Sequence, residues 1–351
     1  MTKRSVRRKF ENHPTIPFGE WDMEGAISEE PGNDKADDIP TFSSEPLREL
    51  DDPEPLPGAK DPSDQLLYYL SMGSGSSGNC CYLGSRRAGI LIDAGVKADK
   101  VEEYLKANGI PMSRVKAILL THDHTDHVKY AYTLVRTHKH IRVFCTNRVI
   151  SGILRRTSIS KRIREYHNAI FKEIPFRIGD FEITAFEVPH DSSDSMGFSV
   201  EFDGRHFVLA TDLGEVQTRA RHYISQADYL VMEANYDLDM LRFGRYPAHL
   251  KARIQTSAGH MDNNATAAFL AEIINPRLRY IFLCHLSQDN NTPVKAFSAV
   301  RTALENAGVR VGTAEESLVD RQADVQLSVL PRFDATRLFV FRPERYDAGK
   351  A

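Results

Sequence analysis

The stretch "LLTHDHTDHVKY", Leu119 to Tyr130, decides how this chain reads. Three histidines and two aspartates fall within six residues, His122 to His127. The preceding "VKAILL" has the pattern of a buried strand, and a helix is expected from the cluster to about Val135. His122 and His124 lie two apart, so an extended or turning backbone points both the same way. Neutral imidazoles in that arrangement suit zinc and other borderline divalent ions. Asp126 and His127 follow on the far side of the turn and can reach a second ion. One ion cannot easily take all four donors and keep an open coordination position.

Further out, ionisable residues recur where strand patterns stop. His190 follows "AFEVP", Asp212 follows "FVLAT", Glu233 follows "YLVM" and His285 follows "YIFLC". In α/β sheets, sites collect at the carboxyl ends of strands, where loops carry side chains over a rigid edge. Two ions call for about seven or eight protein ligands, and the cluster plus His190, Asp212 and His285 supplies them. A carboxylate such as Asp212 can bridge two cations ~3.5–4 Å apart.

The rest of the body supports a layered fold. "LLYYLSM" and "GILIDAG" read as strands around a small-residue loop, "GSGSSGN". "DKVEEYLKANG" and "TPVKAFSAVRTALENAG" read as helices, and "IRVFC", "FEITAFEV", "DYLVMEA" and "RYIFLCH" as strands. "GFSVEFDGRHFVLATD" predicts a hairpin turning at Asp203-Gly204. Alternating strands and helices predict an α/β architecture around buried sheets.

Composition divides the chain. Residues 1–64 hold 9 of its 17 prolines and a net charge of −8, without sustained periodicity. They predict a disordered acidic tail, in which Ile16, Phe18 and Trp21 are apolar enough to dock. Residues 65–351 carry a net of +5 and form the expected functional domain. That charge permits a polyanionic partner without requiring one. "SVRRKF" has a twin arginine but no apolar segment after it, so no export signal is expected. No apolar run approaches the ~18 residues of a membrane span. The four cysteines lack zinc-finger spacing, and Cys80 and Cys81 are poorly placed to pair. A reducing, cytoplasmic setting is the expectation.

At "THDHTDH" the chain resembles the metallo-β-lactamase fold. It is similar to the WalJ/YycJ-like branch at "GSGSSGN", "ILIDAG", "VPHDSSDSMGF", "ATDLGEV", "EANYD", "YPAHLKARI", "GHMDN" and "CHLSQDNN". The resemblance covers about residues 66–350. It implies a four-layer αββα sandwich, metal-dependent hydrolysis of phosphodiester bonds and, for the branch, 5′→3′ DNA exonuclease activity. It implies two divalent ions, zinc or manganese. His122, His124 and His190 would hold one, Asp126, His127 and His285 the other, with Asp212 between them and Asp93 orienting a ligand. Glu233 and His260 match a proton-donating pair, and Asp126 could steer the nucleophile. Tyr236 stands where a histidine is expected.

Substrate contacts are sought in Ser76, Ser77 and Asn79 of the glycine-rich loop. Arg155 and Arg156 belong to an acid-free basic run, "RVISGILRRTSISKRIR", Arg148 to Arg164, and Lys251 to a weaker basic patch. A solvated helix face or a plain glycine turn explains these features about as well. Only 72 residues separate Asp212 from His285, too few for a large cap domain, so an open cleft is expected. DNA is favoured over RNA as substrate. The alternatives are an RNA-processing nuclease, a hydrolase of small phosphodiesters or thioesters, and a non-enzymatic metal-stabilised signalling module.

Overall fold

Strand pairing in the computed structural model sorts the chain into two mixed sheets, within the described residues 62–156, 158–313 and 322–343. The predicted tail, with Ile16, Phe18 and Trp21, lies outside the described residues up to position 61. Residues 62–64 belong to a 3₁₀ turn, Pro62–Gln65, whose Asp64 pairs with Arg87 at 2.6 Å.

The first six strands are β1 (Leu67–Gly73), β2 (Cys80–Gly84), β3 (Gly89–Ile92), β4 (Val115–Leu119), β5 (Arg142–Cys145) and β6 (His167–Ala169). The next eight are β7 (Phe176–Ile178), β8 (Phe181–Glu187), β9 (Met196–Phe202), β10 (Arg205–Ala210), β11 (Tyr229–Glu233), β12 (Tyr280–Cys284), β13 (Val311–Thr313) and β14 (Val325–Val329). A last strand, β15 (Phe339–Phe341), returns to the first sheet and pairs antiparallel with β1, Leu67 opposite Phe341. The first sheet runs β15-β1-β2-β3-β4-β5-β6 and the second β13-β14-β12-β11-β10-β9-β8-β7.

Period-two alternation explains the layering. On β11, Tyr229 and Val231 join the core shared with the first sheet, while Leu230 and Met232 face a second apolar cluster. Phe207/Val208 on β10 and Phe282/Leu283 on β12 divide the same way. Between the sheets, the Tyr69 ring lies 5.0 Å from both Phe207 and Phe282. Helices α1 (Ala98–Ala107), α2 (Thr125–Val128), α3 (Ala131–Thr137) and α4 (Asn147–Arg155) accompany the first sheet. Their apolar residues Val101, Leu105, Leu134 and Ile153 are fully buried. Helices α5 (Thr218–Ile224), α6 (Leu238–Phe243), α7 (Ala248–Ile254), α8 (Asn263–Ile273) and α9 (Pro293–Asn306) belong to the second half. Of these, α5, α8 and α9 bury Ala220, Leu270 and Val300 against the second sheet's outer face. The result is the expected αββα sandwich.

Two details depart from the sequence reading. The one helix expected after the histidine cluster is two, α2 and α3, because Tyr130 between them donates its N–H to Ala94 O at 2.9 Å. The strands β2, β6, β7 and β13 to β15 were not expected at all. The hairpin turn is as read: Asp203 and Gly204 have φ of 50° and 76°, the type I′ signature. Among the described residues no helix is long and apolar enough to cross a membrane.

Phe282 is fully buried where the two sheets meet. Phe282→Ala should cost about 3–5 kcal/mol of stability. Urea unfolding followed by far-UV circular dichroism measures it. A cost under about 1 kcal/mol would contradict a shared inter-sheet core.

Candidate metal centre

Three strand ends turn into the site through left-handed residues: Asp93 after β3 (φ 62°), Asp212 after β10 (54°) and His285 after β12 (55°). That conformation costs a residue with a side chain about 1–2 kcal/mol. Local bonds hold each one. Asp93 accepts from the Thr121 N–H at 2.9 Å, Thr211 Oγ1 donates to Asp212 at 2.8 Å, and the His285 N–H donates to Ser74 Oγ at 2.9 Å. The loop after β3 also presses against the histidine cluster, backbone to backbone. A Cβ on Gly95 would lie 1.6 Å from Asp126 O, so only glycine fits.

The ligand atoms of His122, His124 and His190 all lie within 4.8 Å of one another. His190 Nε2 is 3.3 Å from His124 Nδ1, and its Nδ1 sits 3.2 Å from Gly259 O. A carbonyl accepts only, so that contact puts the proton on Nδ1 and leaves Nε2 bare. His122 Nε2 is buried and has no hydrogen-bond partner among the described residues. Burial drives His190 down to about 4 and holds His122 well below the usual histidine range. Both imidazoles are therefore neutral, as metal ligands must be.

A second group, Asp126, His127 and His285, also lies within 4.8 Å. His127 Nδ1 meets Asp93 Oδ2 at 2.7 Å, which turns its Nε2 toward the site. His285 Nδ1 lies 3.2 Å from Glu233 Oε1, and its buried Nε2 makes no hydrogen bond among the described residues, facing only the carboxylates of Asp126 and Asp212. Asp212 stands between the groups. Its Oδ2 is 3.3 Å from His127 Nε2, and its Oδ1 is 3.4 Å from His285 Nε2 and 3.9 Å from His190 Nε2.

Charge in this space is tightly coupled. Burial opposes ionisation of Asp126 and Asp212, yet surrounding histidines hold both below the usual carboxylate range. Burial likewise opposes charge on His285, but Asp212, Asp126 and Glu233 push it up to about 10. Asp93, Asp212 and Asp126 push His127 well above its ordinary value in the same way. Protons on these histidines balance the carboxylates, and divalent cations would supply the same compensation. Two orphaned buried nitrogens and this charge balance make the residues a fit for bound cations.

Glu233 is wholly buried. Its Oε2 accepts from the Leu213 N–H at 3.0 Å, and its Oε1 meets His260 Nδ1 at 2.8 Å. The pairing fixes the imidazole's orientation, and His260 keeps 20% of its side chain exposed. Despite burial, Glu233 and Asp212 push His260 above its ordinary value.

The expected substrate contacts divide. Asn79 is buried, with its amide nitrogen 3.2 Å from Asp126 Oδ2 and 2.9 Å from His127 Nε2. It therefore belongs to the second histidine group. Ser76 and Ser77 are exposed. Arg156 donates to Thr125 Oγ1 at 3.3 Å, and Arg155 to Ser193 Oγ at 2.7 Å, which puts both beside the cluster. Lys251 is engaged elsewhere: its ammonium donates to Arg242 O and Gly244 O at 2.9 and 2.7 Å. His138 and His140 bond to Glu102 and Met112 O, away from the metal groups.

Several working residues had escaped the sequence reading. Asp123 accepts from Ser193 N–H and Oγ at 3.0 and 2.8 Å and so ties the His190 loop to the cluster. Thr121 bonds both Asp93 and His122. Asn235 donates to His285 O at 2.7 Å, and its place at the end of β11 was the available signal. Tyr236 is buried, and burial with Asp262 and Glu233 pushes its phenol up to about 12, which makes it a poor acid.

Comparison with known proteins identifies the family and the fold. Residues 89–282 match the family described as beta-lactamase superfamily domain. The chain is 33% identical to exodeoxyribonuclease YycJ of Bacillus anthracis over 251 residues, 71% of this chain and 94% of that protein. It is 31% identical to exodeoxyribonuclease WalJ of Streptococcus pneumoniae over 245 residues, 70% of this chain and 90% of that protein. The metallo-β-lactamase fold protein YhfI from Bacillus subtilis superposes with a TM-score of 0.56 at 15% identity, covering 79% of this chain and 100% of that one. Zinc-bound PqqB from Methylobacterium extorquens superposes at 0.53 with 16% identity, covering 77% of this chain and 99% of that one. The two structures speak for the fold alone. The chain belongs to the β-lactamase superfamily, in the YycJ/WalJ branch of its metal-dependent hydrolases.

Proposed function

We propose that this protein is a DNA exonuclease that binds two divalent ions, zinc or manganese, and degrades strands 5′→3′. One observation carries the two-ion reading. The two oxygens of Asp212 stand between two separate histidine groups, each with a buried Nε2 that makes no hydrogen bond among the described residues. His122, His124 and His190 would hold one ion, and Asp126, His127 and His285 the other, with Asp212 shared. Bound divalent ions supply Lewis acidity and lower the pKa of water to about 7. The DNA substrate rests on the relatives YycJ and WalJ, which are named exodeoxyribonucleases, and the polarity on the resemblance of the motifs to that branch.

The chain's own residues supply orientation and proton transfer. Asp93 fixes His127, Gly259 O fixes His190, and Glu233 fixes both His285 and His260 through their Nδ1 atoms. With Nδ1 committed to Glu233, His260 offers Nε2 as the proton donor to the leaving oxygen. An open cavity of about 800 Å³ lined by Arg155, Arg156, Ser160 and Lys161 gives a phosphate backbone a cationic path near Thr125.

Asp212→Asn keeps a residue that tolerates φ near 54° while removing the charge. DNA cleavage should fall by about 10³-fold with the circular dichroism spectrum unchanged. Near-parental activity in this variant would sink the site assignment.

His260→Ala should lower kcat on DNA by about 10²–10⁴-fold while metal content holds. On bis(p-nitrophenyl) phosphate, whose leaving group needs no proton, the loss should be far smaller. Equal losses on both substrates would remove His260 as the acid.

Chelator treatment should abolish cleavage, and zinc or manganese added back singly should identify the working ion. Turnover of 5′-labelled DNA and RNA under that ion tests the substrate and the direction. Full activity in metal-stripped protein would end the metallohydrolase reading.

A further inference from the structure

The loop from Gly73 to Asn79 runs beside the Asp126–His127–His285 group. Its Ser74 accepts from the His285 N–H, and its Asn79 bonds Asp126. Between those anchors, Ser76 and Ser77 are exposed. Across the loop lies Arg332, from the segment after β14 and 255 positions away from Ser77. Its Nη1 donates to Ser77 Oγ at 3.3 Å, and its Nη2 donates to Leu286 O, next to His285. Its own carbonyl accepts from the Ser74 N–H at 3.3 Å. The guanidinium lies so close over Gly75 that a Cβ there would stand 3.0 Å from Cζ and Nη1. A residue with no side chain at 75 is what lets the cation reach the site loop.

The partners of this guanidinium are a hydroxyl and a carbonyl, both neutral. Among the described residues it forms no ion pair within 4.0 Å; Asp126 and Asp289 act on it only at longer range. A guanidinium has five N–H donors and stays charged at any working pH. A half-buried arginine normally finds a carboxylate, because desolvating its charge is costly. Here the cation is held by neutral groups at the lip of a metal site. Next to it, Phe333 is 61% exposed and lies against the guanidinium at 5.8 Å, offering a free aromatic face beside the charge. Cation and aromatic together are how proteins grip an unpaired nucleotide.

We propose that Arg332, braced by Ser77 and Leu286, binds a phosphate of the DNA strand next to the one that is cut, on the Asp126–His285 side of the site. This rests on the nuclease reading above. A phosphate would meet the donors not taken by Ser77 and Leu286 and supply the missing counter-charge.

The test uses the full-length, metal-loaded protein, with single-stranded DNA and bis(p-nitrophenyl) phosphate as parallel substrates. The small diester has no neighbouring phosphate. Arg332→Gln should lower kcat/KM on DNA by about 10- to 100-fold, the range of one charge-assisted hydrogen bond, and leave the small diester unchanged. The slope of log(kcat/KM) against log salt on DNA should become shallower by about 0.7, one phosphate contact on a single strand. Arg332→Lys keeps the charge and should keep the parental slope. A merely structural role would move both substrates together and leave the salt slope alone, which would overturn the proposal. An Arg332→Gln enzyme with parental kcat/KM on DNA would overturn it while leaving the nuclease reading intact. A parental protein that hydrolyses the small diester but neither binds nor cuts DNA would overturn both.

Discussion

The site depends on holding negative charge where water scarcely reaches. Asp212 and Glu233 are buried, and Asp126 is pressed between His127 and His285. An isolated buried carboxylate would take up a proton rather than stay charged. These stay ionised because imidazoles surround them, and cations are the stronger compensators of the same charge. The fold's task is to keep that set assembled. Two sheets sharing one core give a rigid edge, and strands β4, β8, β10, β11 and β12 all end there.

Compensation works only if each histidine presents the correct nitrogen. Two kinds of partner accomplish this: a carboxylate, Asp93 for His127 and Glu233 for both His285 and His260, and a backbone carbonyl for His190. Each engages Nδ1 and leaves Nε2 facing inward. Glu233 links His285, the proposed ligand, to His260, the proposed acid, through one oxygen. A change there would disturb metal binding and proton transfer together, so its effect could not be assigned to either alone.

The sequence carried most of the frame because local pattern and site chemistry coincide in it. Residues at strand ends can be read when the strands are regular, and β4, β10, β11 and β12 each carry a run of at least three buried apolar residues. The type I′ turn at Asp203-Gly204 was legible for the same reason. What escaped depends on contacts across large sequence separations. Asp123 works through Ser193, 70 positions away, and nothing in the spacing of the cluster reveals it. Strands β13 and β15 are three residues each, too short for any period to show. Lys251 looked like a phosphate ligand by type, but its ammonium stays with the carbonyls of Arg242 and Gly244, and only coordinates could show that.

The left-handed residues sharpen the link between fold and function. Asp93, Asp212 and His285 would each be more stable in an ordinary strand exit, and glycine would take the conformation at no steric cost. Glycine cannot carry a carboxylate or an imidazole, so at these positions the backbone keeps the strain and the side chain is retained. At Gly95 the opposite choice is made: the backbone of Asp126 comes so close that no side chain fits. Both choices serve one end, which is to bring donors from distant strands within 4.8 Å of one another. Backbone strain of this kind persists only where surrounding bonds over-determine it. Here Thr121, Thr211 and Ser74 provide those bonds, one for each strained residue.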